Sequence, residues 1–137
     1  MNSSVKPDFS GEWVLDRQAS QLTGGAAAME TGVLRIDHRD PKCGFQISMS
    51  AGGESVERAW ESSLSDEIPV IDSGLYSRLF WEGDVLVFEC GSKADETCML
   101  WRYQLFDSGR RLRAVEHMRG RGGDFDNTWI FEKGLNA

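Results

Sequence analysis

Short β-rich runs recur about every ten residues along this chain, each closed by residues that reverse the backbone, and helical periodicity is almost absent. This spacing describes consecutive antiparallel hairpins. The reversals are explicit at Asp40-Pro41-Lys42, Ala51-Gly52-Gly53-Glu54, Glu82-Gly83-Asp84, Asp107-Ser108-Gly109 and Gly120-Arg121-Gly122-Gly123, where Gly, Pro and Asp supply the angles that tight turns need. The runs between them predict strands at 9–15, 33–39, 44–50, 54–61, 75–81, 84–90, 97–106, 111–119 and 124–133, with a further short one at 68–72. Leu22 to Glu30 is too rich in alanine for a strand; it suits a turn or two of helix placed across an open barrel mouth. The chain has 137 residues, enough for one domain over 1–137, with 1–7 as a flexible N-terminal arm. The expected fold is therefore all-β: an antiparallel up-and-down barrel of about eight to ten strands, with at most a short helix between strands one and two.

Turns also set register, because paired residues share a face and side chains alternate along a strand. If Phe106 pairs with Arg111, then Trp101 lies opposite Glu116 and Met99 opposite Met118. If Arg119 pairs with Asp124, then Glu116 lies opposite Asn127 and Ala114 opposite Trp129. Extending this face backwards through Cys90 with Cys98, and Trp81 with Asp84, adds Glu89, Val87, Val85, Phe80, Arg78 and Tyr76. In the front half, the same logic gathers Leu34, Ile36, His38, Phe45, Ile47, Met49, Val56, Arg58 and Trp60. The opposite parity is mostly polar, which makes it the outside.

The inward set is aromatic and methionine-rich, yet it holds His38, Arg58, Arg78, Glu89, Glu116 and Asn127, with Tyr76 and Tyr103. Burying charge without a partner is costly, so these groups either pair with one another or face water and a ligand in a cavity. Arg58, Trp60, Tyr76, Arg78, Trp101, Tyr103, Glu116, Asn127 and Trp129 are the expected ligand contacts, with Glu116 and Asn127 beside Trp101 and Trp129 at their centre.

A net charge of −7 argues against nucleic acid and anionic membrane as partners. No apolar run approaches the ~20 residues of a membrane-spanning helix, and Met1 to Pro7 lacks the apolar stretch of a signal peptide. The expected compartment is cytoplasmic for the chain as written, or secreted or periplasmic if a signal has been removed. Cys43, Cys90 and Cys98 have no zinc-type spacing and read as free thiols; Cys90 and Cys98 form a cross-strand disulfide only in an oxidising compartment. Gly-x-Ser-x-Gly, His-Glu-x-x-His, Cys-x-x-Cys and phosphate-binding glycine loops are all missing, so no metal or cofactor is expected. His38 and His117 lack a motif that would mark them as catalytic. Glu116, a carboxylate among indoles, is the residue best suited to proton transfer should the protein be an enzyme.

Gly11-Glu12-Trp13 opens the first strand, glycine permitting close approach while the indole plugs the closed end of a barrel. This opening, Asp8 to Asp16, together with Trp81 to Glu89, the Leu105 to Leu112 hairpin and the closing Trp129-Ile130-Phe131-Glu132-Lys133, resembles the small bacterial lipocalin-like proteins over most of the chain. That resemblance implies a calycin-type barrel. The last strand, Thr128 to Lys133, is also similar to that of intracellular fatty-acid-binding proteins, whose pattern has Arg and Tyr where this chain has Trp129 and Phe131. Those changes remove that family's carboxylate clamp, leaving Arg58 and Arg78 as the cations for an anionic head group.

Three functions follow as expectations. The first is binding of a small hydrophobic or amphipathic molecule in the barrel. The second is a cofactor-free isomerase, cyclase or decarboxylase using Glu116 as general acid or base. The third is a structural or interaction module whose interior is filled. Homodimerisation is expected through the outward face of the strands near 75–106, where Leu79, Trp81, Leu86, Phe88, Cys90, Cys98 and Leu100 share the outer parity.

Overall fold

The computed structural model describes residues 6–64, 75–92, 96–120 and 123–134. Within them the β-rich runs become nine antiparallel strands: β1 (Gly11–Leu15), β2 (Thr31–Arg39), β3 (Lys42–Ala51), β4 (Glu54–Ser63), β5 (Leu75–Glu82), β6 (Val85–Ser92), β7 (Thr97–Phe106), β8 (Arg111–Arg119) and β9 (Phe125–Lys133). The alanine-rich segment forms a short 3-10 helix, Gly24–Ala28. The short strand expected at 68–72 lies outside the described residues. Among those described, no helix is long and apolar enough to cross a membrane.

The strands lie in the order β4-β3-β2-β1-β9-β8-β7-β6-β5. The first and last strands are therefore neighbours, with Trp13 paired to Leu34 on one side and Lys133 on the other. β4 and β5, the two ends of the sheet, meet at one parallel bridge between Leu64 and Leu79. The result is a nearly closed up-and-down barrel, as the hairpin spacing predicts.

The closed end is plugged by the residues that flank Gly11. Phe9 and Trp13 are fully buried, and the Trp13 indole Nε1 donates to the Phe9 carbonyl at 2.9 Å. The Phe9 ring lies 6.0 Å from that of Trp81 and 6.1 Å from that of His38. Leu79, Leu86, Leu112 and Cys43 complete this apolar base with no exposed surface. Burial holds the Cys43 thiol against ionisation, pushing its pKa up from 9.0 to about 12, with help from the nearby carboxylates of Asp37, Asp40 and Asp8.

The back hairpins keep the expected register: Trp101 pairs with Glu116, Glu116 with Asn127, and Ala114 with Trp129. The front ones do too, with Ile36 opposite Phe45, Phe45 opposite Trp60, and Ile47 opposite Arg58. Between β5 and β6 the register differs by two residues, Trp81 pairing with Leu86 and not with Asp84, which leaves the faces unchanged; between β6 and β7 the expectation fails. Pairing begins at Ser92↔Thr97, so Cys90 pairs with Met99, not Cys98. Glu96 takes up the extra residue of loop at a left-handed φ of 53°.

A slip of one residue exchanges the two faces of a strand. Leu79, Trp81, Leu86, Phe88 and Cys90 therefore point inward, where they share a face with Met99, Trp101 and Tyr103. Tyr76, Arg78, Phe80, Val85, Val87 and Glu89 move to the outer face. The apolar patch expected to support a homodimer is thereby lost: Leu79 and Leu86 are fully buried and Phe88 is 8% exposed, leaving Cys98 and Leu100 outside. Cys90 and Cys98 occupy opposite faces, and all three cysteines are free thiols.

Candidate functional site

Above the plugged base the interior is open. A cavity of about 690 Å³ runs towards the barrel end that carries the 3-10 helix and the β3–β4 and β8–β9 turns. That volume is typical of a site for a drug-sized ligand. Leu34, Ile47, Met49, Phe88 and Met99 supply apolar walls, while Thr23, Gly24, Gly25, Ala26 and Met29 stand at the mouth. Val56 and Phe125, also in the lining, are 43% and 40% exposed and form an apolar rim.

One band of rings crosses the cavity wall. Trp60 stacks on Phe45 with centroids 5.1 Å apart, Phe45 on Tyr103 at 5.2 Å, and Tyr103 on Trp101 at 6.1 Å. Successive planes are inclined by only 14°, 24° and 10°, and Trp129 continues the band 6.4 Å beyond Trp101. Register explains part of the band: Phe45 and Trp60 are a cross-strand pair of β3 and β4, and Trp101 and Tyr103 share the inward face of β7, while the Phe45–Tyr103 contact spans the interior between β3 and β7.

At its Trp129 end the band meets a buried carboxylate. Glu116 is 7% exposed, and its Oε1 accepts hydrogen bonds from Asn127 Nδ2 and Trp129 Nε1, both at 3.1 Å. Asn127 is committed on its other side, where Oδ1 accepts the Thr23 backbone N–H at 2.6 Å and the Thr23 hydroxyl at 3.1 Å. The Trp101 indole donates to Met99 Sδ at 3.0 Å. Three polar groups of the cavity have capacity to spare among the described residues. Glu116 Oε2 accepts from none of them, the Tyr103 hydroxyl bonds to none, and Trp60 Nε1 is buried without an acceptor. Burial raises the Tyr103 pKa well above the usual phenol value, reinforced by the neighbouring acidic groups of Cys43, Glu116 and Cys90, so the hydroxyl keeps its proton. Burial likewise raises the pKa of the Cys90 thiol in the cavity lining, ahead of the influence of Cys98 and Glu89.

Of the residues expected to contact a ligand, Arg58, Trp60, Trp101, Tyr103, Glu116, Asn127 and Trp129 surround this cavity. Arg58 stands exposed at the rim and has no ion-pair partner among the described residues. Tyr76 and Arg78 do not join them. The β6–β7 slip puts both on the outer wall, where Arg78 Nε binds Glu89 Oε1 at 2.7 Å and the Tyr76 hydroxyl donates to Cys98 Sγ at 3.4 Å. His38 points inward but sits in the closed base, its Nε2 at 2.7 Å from Asp40 Oδ1. His117 lies outside, paired with Asp126 at 2.7 Å. Phe88 and Cys90 are the cavity residues that the turn pattern misplaces, and one more residue in the β6–β7 loop restores them. Thr23 carries no signal of its own in the sequence, because its contact with Asn127 spans 104 positions.

No protein-family model matches the sequence, and no curated protein matches it. Solved structures do resemble it. The wild-type fluorescent protein UnaG is 18% identical and superposes with a TM-score of 0.64 over 92% of this chain and 97% of that one. Secretory abundant heat soluble protein 4 from Ramazzottius varieornatus is 12% identical, with a TM-score of 0.61 over 98% and 99% of the two chains. A Schistosoma mansoni fatty acid binding protein, solved in complex with arachidonic acid, is 11% identical, with a TM-score of 0.58 over 96% and 97%. At such identities the likeness is one of fold. In architecture, this chain shares with them a nearly closed, antiparallel up-and-down β-barrel.

Proposed function

We propose that this protein binds a small, largely apolar or amphipathic molecule inside the barrel, with Glu116 and Asn127 orienting its polar part and Arg58 at the rim. The observation that carries this reading is the interior itself. Side chains do not fill it, and a continuous aromatic band borders the space beside polar groups that have no partner. Close-packed interiors rarely leave such volume or such atoms unused. The resemblance to a fatty acid binding protein holding arachidonic acid supports an apolar guest in this fold.

Fluorescence titration tests it, with 1,6-diphenylhexatriene as an apolar probe and tryptophan emission as the second signal. Trp129→Ala is expected to weaken binding about fivefold or more, since truncating an aromatic anchor of a site removes a large contact area. Leu100→Ala, on the outer face, is expected to leave affinity unchanged. Absence of binding to the wild type, or equal losses in both variants, would count against the cavity as the site.

A further inference from the structure

Resting on that reading, we infer that the ligand is a planar, conjugated molecule, uncharged or cationic, that delivers an N–H or O–H donor to Glu116 Oε2. The polar groups define what the guest must offer. Asn127 spends its Oδ1 on Thr23 and one of its two amide hydrogens on Glu116, and the indoles of Trp101 and Trp129 have already spent their donors. What remains is the carboxylate oxygen of Glu116, which takes a donor deep in the cavity, with the Tyr103 hydroxyl, 2% exposed, and the Trp60 Nε1–H, which takes an acceptor elsewhere in the lining. A carboxylate guest at that depth would bring a second negative charge to Glu116. Among the described lining residues Arg58 is the one cation, and it stands exposed at the rim, where water screens it. Charge therefore selects against acidic head groups in the interior.

Shape points the same way. The rings from Trp60 to Trp101 are stacked with planes inclined by 10° to 24°, an arrangement that a further flat π-system extends by offset stacking. An alkyl chain would gain contact area there without any orientation.

The geometry around Glu116 also dictates what the conservative variant does. Asn127 and Trp129 both donate to Oε1, so a glutamine at this position must keep its carbonyl oxygen there. Its amide NH2 then occupies the place of Oε2. Glu116→Gln thus converts an acceptor in the cavity into a donor without altering volume.

Pyrene and its 1-amino and 1-carboxylate derivatives share one skeleton and separate these requirements. At pH 7.5 the wild type is expected to bind 1-aminopyrene at least tenfold more tightly than pyrene, and pyrene more tightly than 1-pyrenecarboxylate. Glu116→Gln should lower 1-aminopyrene affinity to that of pyrene and raise that of 1-pyrenecarboxylate, with its thermal unfolding recorded alongside. If that variant does not fold, the ranking in the wild type decides alone. Three pyrenes binding alike, or a preference for the carboxylate, would overturn the inference while leaving the cavity as a ligand site. If no pyrene binds and diphenylhexatriene fails as well, the site itself is lost.

Discussion

A single inward position combines three separate physical demands at Glu116. It must be buried, it must receive two donors on one oxygen, and it must keep the other free. The first of these was legible in the sequence, because two short turns placed Glu116 opposite Trp101 and Asn127. The donors were not, since the Trp129 indole reaches Glu116 through its rotamer and the hold of Thr23 on Asn127 comes from a segment distant in sequence. Cys43 shows another side of burial, one with a measurable pH signature. Its thiol titrates at 9.0 in an ordinary environment and at about 12 in the folded barrel, so the unfolded chain loses that proton first as pH rises. Stability is thus complete below pH 9 and declines as pH climbs towards 12. Thermal unfolding followed from pH 8 upward should show Tm falling across this window. Cys43→Ala should begin lower, because it leaves a void in the base, yet fall less steeply. An identical slope in the variant would mean that the buried tyrosine Tyr103 and Cys90 account for the whole decline.

At the level of elements, hairpins with compact glycine-marked turns were readable as to face, though Trp81 pairs with Leu86 and not with Asp84, and the one with a longer loop was not. The β7–β8 and β8–β9 pairings follow from their turns residue by residue. The β6–β7 loop has no such marker to fix its length, and an error of one residue carried Arg78 and Tyr76 from the outer wall to the cavity and Phe88 the other way. Strand β1 deserves its own test because it carries the ladders that join the front hairpins to the back ones, pairing with β2 and β9 over only five residues. Gly11 begins that strand at φ 137°, a conformation that side-chain-bearing residues rarely adopt. Gly11→Val is expected to destabilise the protein by roughly 2 kcal/mol or more, the scale of strain at a special backbone position. Denaturant unfolding should show the midpoint fall, while the order in which the folded variant ranks the pyrenes stays that of the wild type. A variant as stable as the wild type would mean that β1 tolerates a different entry into the sheet.

Across the whole molecule, the sheet of the described residues is joined by antiparallel ladders everywhere except at one line. Eight of the nine neighbour relations around the wall are such ladders, whereas the β4 and β5 ends meet, among the described residues, at the Leu64–Leu79 bridge. That topology was implicit in nine successive hairpin-like runs, but the bridge was not, because nothing in alternation of faces says how β4 and β5, consecutive in the chain yet at opposite ends of the sheet, meet. An incomplete ladder leaves backbone N–H groups without strand partners, and local opening costs least where such pairing is sparse. Hydrogen–deuterium exchange should therefore find the amides of β4 that point towards β5 exchanging far faster than those of β8 and β9; uniform protection around the wall would refute this. The bridge, a minor detail of connectivity, then acquires a mechanical meaning. A wall whose described ladders leave one line joined at a single bridge is built as a cuff and not as a ring: opening along that line would widen its circumference at the cost of one bridge, with every hairpin left intact.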